Sequence, residues 1–104
     1  MISIYKDSIK DALYPKKGVL TKTNKFIKIN EPTAMEAKDV KELRKFLQLS
    51  QSLFAQVLGV SHKTVQAWEH GTNIPTGSAL RLMNILKKYP DVLMETNIVE
   101  ESLN

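Results

Sequence analysis

Gln51 to Gly71 reads QSLFAQVLGVSHKTVQAWEHG, and this stretch decides the fold. Ser50, just before it, is a fitting N-cap, because a short side-chain oxygen can accept from an orphan amide of the first turn. Phe54, Ala55 and Leu58 then recur at helical spacing. Ala55 is small, as a close crossing of two helices requires. Gly59 follows the last apolar residue of that helix, where a left-handed backbone costs glycine little. Val60 is an apolar plug behind the turn, and Ser61 can cap a second helix. In that second helix Val65 and Trp68 fall on the inner face, while His62, Lys63, Thr64, Gln66 and Ala67 can face outward. Gly71 ends it and Pro75 keeps it from resuming. The pattern is two short helices joined by a tight turn.

Working outward, Thr33 and Glu36 have the spacing of a capping box, with a helix beginning there or a few residues on. Val40, Leu43 and Leu47 line one face of that helix, and Phe46 widens the stripe. Beyond Pro75, Thr76 and Ser78 are candidate caps for a helix whose apolar content is Leu80, Met83, Ile85 and Leu86. Tyr89-Pro90 breaks the chain, and Asp91-Val92-Leu93-Met94 reads as a short fifth helix. Five helices in about 65 residues predict a compact all-α domain.

Residues 1–32 have another character. Ile2, Tyr5, Ile9 and Leu13 give a narrow apolar stripe on a helix of about three turns, stopped by Pro15 and Gly18. From Val19 to Ile29 the β-branched and aromatic residues Thr21, Thr23, Phe26, Ile27 and Ile29 alternate with lysines and favour a strand. One helix and one strand bury too little apolar surface to fold alone. The expected division is therefore an N-terminal segment over 1–33, a helical domain over 34–94 and an acidic tail over 95–104. The N-terminal segment packs on its own domain, packs on a partner, or stays partly disordered.

The 104 residues carry a formal charge of +4, with a pI near 9.4. That balance suits nucleic acid or an acidic protein surface and decides neither. The absence of cysteine rules out disulfides and thiolate metal sites and fits a cytoplasmic protein. No apolar run has the length of a membrane span, and the first residues lack a signal-peptide core, so no membrane partner is expected.

The two-helix unit carries the chemistry. An α-helix fits the DNA major groove, and its first residues reach base edges most easily. His62, Lys63, Gln66 and Ala67 are the base-facing candidates. Lys63 can donate to guanine, Gln66 can pair with adenine through both amide atoms, and Ala67 can touch a thymine methyl. His62 donates or accepts according to tautomer, so its preference is not readable from sequence. Thr64 is better placed for phosphate, as is Gln51 at the start of the preceding helix.

The stretch from about Asp39 to Leu93 resembles the Xre/Cro-like helix-turn-helix domain of phage repressors. That resemblance implies a five-helix, lambda-repressor-like bundle that binds two-fold operators as a homodimer. It also implies a pair between an arginine of the first helix and a glutamate ending the recognition helix, here Arg44 and Glu69, with the arginine near the DNA backbone. W-E-H-G-T-N-I-P-T-G, residues 68–77, is similar to the W-E-x-G-x-x-x-P-x-G of HigA-type antitoxins. Such antitoxins neutralise a small basic toxin of the RelE/HigB class, an mRNA-cleaving ribonuclease, and repress their own operon. The resemblance makes Ile2, Tyr5, Ile9, Leu13, Phe26, Ile27 and Ile29 the candidate toxin-binding residues. Toxin-wrapping segments are often acidic, whereas residues 1–32 hold seven lysines against Asp7, Asp11 and Glu31. The tail or the helical domain thus stays open as the toxin contact, and helix 5 around Val92, Leu93 and Met94 is the expected dimer contact, with the N-terminal segment as the alternative.

Plainer readings stand beside these. Trp68 is expected as packing between the recognition helix and the core. His62 and His70, with no cysteine near, make a poor zinc site. An exposed Arg44–Glu69 pair would contribute under about 1 kcal/mol. Nothing assembles a nucleophile, a base and an orienting group, so neither enzymatic activity nor a cofactor is expected. The alternatives to an autorepressing antitoxin are a stand-alone repressor sensing a ligand or partner through its N-terminal segment, and an interaction module without DNA contacts.

Overall fold

The computed structural model describes residues 27–102, and the chain divides into two units between Glu31 and Pro32. The second unit is helical: α1 (Ala37–Phe46), α2 (Gln51–Leu58), α3 (His62–His70), α4 (Gly77–Lys88) and α5 (Val92–Glu95). The all-α helix-turn-helix architecture is the one the sequence predicts.

The ends of α2 and α3 are made by local chemistry. Ser50 Oγ accepts from Leu53 N at 3.1 Å, and Ser61 Oγ accepts from Thr64 N at 3.1 Å. Gly59 and Gly71 close the two helices at φ 71° and 80°, in the left-handed region. Past each glycine the chain folds back onto its own helix: Val60 N donates to Ala55 O and Thr72 N to Ala67 O, both at 3.0 Å.

Where local signals are weaker, the structure departs from expectation. The first helix begins after Glu36, which is its N-cap; Asp39 reaches back, its Oδ2 accepting from Glu36 N at 2.9 Å. Thr33 is therefore outside the helix. Asn84 of α4 holds it instead, accepting from Thr33 N at 2.7 Å and donating to Thr33 O at 3.0 Å. Thr76 is the N-cap of α4, without a side-chain hydrogen bond. Between α1 and α2 the turn uses Gln48 at φ 59°, a left-handed residue that no glycine announces.

The core is one cluster. Phe54, Met83, Val40 and Val65 are completely enclosed in it, with Met35, Leu43, Ala55, Trp68 and Leu80 around them, and Leu86 is completely enclosed as well. α3 packs on α1 and α2, so the helix-turn-helix is braced from two sides. Two apolar expectations are corrected. Phe46 does not join the buried stripe but stands 66% exposed, because Val40 and Leu43 already fill the inward face of α1. Leu93 is buried and so unavailable to a dimer mate, whereas Met94 next to it is exposed. Ile85 is also partly exposed.

Ile2, Tyr5, Ile9, Leu13 and Phe26, with the expected N-terminal helix, lie outside the described residues. Ile27 and Ile29, at the end of the expected strand, are not in a strand; Ile27 is half-buried and Ile29 exposed. Among the described residues no helix is long and apolar enough to cross a membrane.

Candidate nucleic-acid interface

α3 has two kinds of surface. Val65 and Trp68, three residues apart, are driven inward, and burying an indole here removes a large apolar area from water. His62, Lys63 and Gln66 are left exposed on the other side, with Ala67 half-buried at its edge. These four base-facing candidates do share the outer part of α3. Thr64 is half-buried, and its hydroxyl lies 2.8 Å from Ser61 Oγ, within the cap.

Glu69 anchors the far end of the helix. Its side chain is 2% exposed, and Arg44 of α1 grips it with two parallel hydrogen bonds, Nε to Oε2 at 2.6 Å and Nη2 to Oε1 at 3.0 Å. Arg44 Nη1 also donates to Leu49 O at 3.0 Å. Gln51 Nε2 adds a third donor to the carboxylate, at 3.0 Å from Oε1. Burial pushes the Glu69 carboxyl up. The hydrogen bonds from Arg44 and Gln51, with the charges of Arg44 and Lys41, outweigh that and hold it below its ordinary value. The bond to Glu69 raises the Arg44 guanidinium against the opposing effect of its own burial.

The expected arginine–glutamate pair is therefore present, but the value attached to it as an exposed pair is corrected. It is bidentate and largely removed from solvent, the geometry in which such pairs are strong and specific. It binds α1, the α1–α2 turn, α2 and α3 into one polar joint.

Gln51 has a role that sequence reasoning did not assign. Besides holding Glu69, its Oε1 lies 3.4 Å from His62 Nε2. It thus links the two ends of α3 through the first residue of α2. No local signal announces this, since Gln51 and Glu69 are 18 positions apart.

Charge is distributed unevenly. Residues 27–102 hold nine Lys and Arg against nine Asp and Glu, so the whole formal excess of +4 belongs to residues 1–26. Attraction of a polyanion to the helical domain would thus be local, drawn from Lys63 and from backbone donors at helix starts, not from net charge. Among the described residues no group of three metal-ligating side chains is brought together.

Comparison with known proteins adds two findings. A family model described as the antitoxin component of bacterial toxin–antitoxin systems, MqsA, matches residues 8–97. Antitoxin HigA-2 of Vibrio cholerae serotype O1 is 29% identical over 55 residues, which cover 53% of this chain and 53% of that protein. The match thus spans about half the length of the relative.

Proposed function

The chain belongs to the MqsA family, the antitoxin component of bacterial toxin–antitoxin systems, and from that premise we infer that it is a HigA-type antitoxin that also binds DNA and represses its own operon. An antitoxin implies a toxin partner. In this reading the toxin is a small basic mRNA-cleaving protein of the RelE/HigB class, and the complex acts in the cytoplasm.

One observation supports the DNA function above the others: α3 presents Lys63, Gln66 and His62 to solvent while Trp68 and Glu69 fasten its other side to the core. Base readout needs side chains free to reach on a helix that is itself immobile. His62, Lys63, Gln66 and Ala67 are assigned to bases, and Gln51 and Thr64 to phosphate. Arg44 already gives three of its donors to Glu69 and Leu49, so its share in phosphate binding is secondary to its structural one. A homodimer reads two half-sites about one helical turn, roughly 10 bp, apart. The N-terminal division (1–33), with Ile2, Tyr5, Ile9, Leu13, Phe26, Ile27 and Ile29, is assigned to the toxin, by apolar packing and strand addition.

The test is footprinting of the full chain on the DNA upstream of its own reading frame, with and without the product of the adjacent frame. Two protected half-sites, together with co-purification of that product, are the expected result. Protection of one half-site by a monomer would remove the dimer. Absence of any protection, with co-purification intact, would leave an antitoxin that does not repress.

A further inference from the structure

Within the proposed DNA-reading function, on which this inference rests, His62 is the residue whose chemistry the sequence left undetermined. Either ring nitrogen of a neutral imidazole can carry the proton, so the side chain can offer a base a donor or an acceptor. Two contacts remove that freedom.

Glu69 is a carboxylate, able only to accept, and it is 2% exposed. Gln51 meets it at 3.0 Å, so the atom facing it must be the amide nitrogen; an amide oxygen there would set lone pair against lone pair. The orientation of the Gln51 amide, an arbitrary choice for an exposed side chain, is thus dictated by its neighbour. The Gln51 oxygen is left turned to the other side, 3.4 Å from His62 Nε2. An amide oxygen also only accepts, so His62 satisfies it with an Nε2–H. In the neutral ring Nδ1 then carries a lone pair.

We propose that Gln51 is a positioning residue that sets the tautomer of His62, and that His62 offers the major groove an acceptor, selecting adenine or cytosine through their exocyclic amines. Adenine N6 and cytosine N4 are the donors that the major groove displays, whereas guanine N7 and O6 and thymine O4 are acceptors that would oppose the Nδ1 lone pair. The exposed turn of α3 then divides its work by hydrogen-bond character. Lys63 can only donate and suits guanine. Gln66 can do both and suits adenine. His62 accepts and suits an amine. The joint at the far end of α3 thereby enters the choice of sequence without touching a base, since Arg44 and Gln51 share the same carboxylate.

Two measurements on the full chain test this, one of them without DNA. Long-range ¹H–¹⁵N spectra of the ring nitrogens, recorded where the imidazoles are neutral, should show His62 protonated at Nε2 and bare at Nδ1. In Gln51→Met, which keeps the length and removes the amide, His62 should move toward the tautomer mixture of a free imidazole, with the exposed His70 as internal comparison. Nδ1–H at His62 in the natural chain would overturn the proposal, and so would an unchanged spectrum in a folded Gln51→Met.

Selection from randomised DNA is the second measurement. One position per half-site should favour adenine or cytosine on one strand by about five- to tenfold, the worth of one hydrogen bond. His62→Ala and Gln51→Met should each flatten that position and leave the one read by Lys63 intact. Unchanged binding to a site in which the exocyclic amine of that adenine or cytosine is removed would overturn the base assignment. Failure of the natural chain to select any DNA would remove the DNA-reading function and the base choice with it, while the ring spectra would still decide the tautomer.

Discussion

The two ends of α3, only eight residues apart, are built for different tasks. At the start, Ser61 closes the cap and His62 and Lys63 stand in solvent, with polar atoms that the fold needs little or not at all. At the end, Trp68 is sealed in the core and Glu69 is held by three donors from two other helices. The difference shows how a nine-residue helix, too short to be stable alone, can serve as a rigid probe. Its stability is supplied at one end and by the buried stripe, which leaves the other end available for recognition.

The comparison breaks most visibly at Trp68. Trp68→Ala should destabilise the domain by about 3–5 kcal/mol, since large-to-small aromatic changes leave a cavity as well as losing transfer energy. A thermal melt that stays cooperative and barely moves would show that the buried end is not the anchor.

Glu69→Gln comes next. It keeps the shape but removes the charge that Arg44 grips, with an expected cost of about 1.5–3 kcal/mol, the range for hydrogen bonds to charged groups. Its pH dependence sharpens the point. The folded carboxyl lies below its ordinary value of 4.5, so the unfolded state binds the proton more readily. The stabilisation is therefore fully present above pH 4.5 and is lost as pH falls through the lowered folded value. Denaturant titrations should show the natural chain and Glu69→Gln converging in acid. A gap that is constant from pH 7 to pH 3 would assign the loss to packing instead.

At the other end the effects on stability should shrink. Ser61→Ala removes one cap and should cost about 1 kcal/mol. Lys63→Ala, on the surface, should change stability by less than about 0.5 kcal/mol. The same Lys63→Ala should lower discrimination at one operator position by about 1–3 kcal/mol in binding assays on base-substituted sites. Uniform weakening on every site would place Lys63 on phosphate. A large loss of stability would erase the distinction between the two ends.

The parts of the fold that were legible in the sequence are those made by neighbours along the chain. Ser50, Gly59, Ser61 and Gly71 act within a turn of their own position, so their roles in α2 and α3 can be read without knowing what lies across the core. Trp68 and Val65 follow from helical spacing. Misreadings fell where several residues could compete for one buried face. Phe46 and Leu93 are both apolar and well spaced, yet one is expelled, since Val40 and Leu43 already fill the inward face of α1, and the other is buried. The Gln48 turn and the Asn84 clamp on Thr33 had no glycine or cap pattern to mark them.

The family resemblance supplied the pairing of Arg44 with Glu69; by itself the sequence determined a helix-turn-helix with a polar outer face and the residues that face carries. Those are matters of period, capping and residue chemistry, and all of them act locally or by type. Tertiary structure alone decided how dry that pair is, that Gln51 joins it, and which nitrogen of His62 faces an amide oxygen. Such properties depend on the solvent exclusion and angles created when α1, α2 and α3 meet, and no spacing along a single chain encodes the direction in which an amide points.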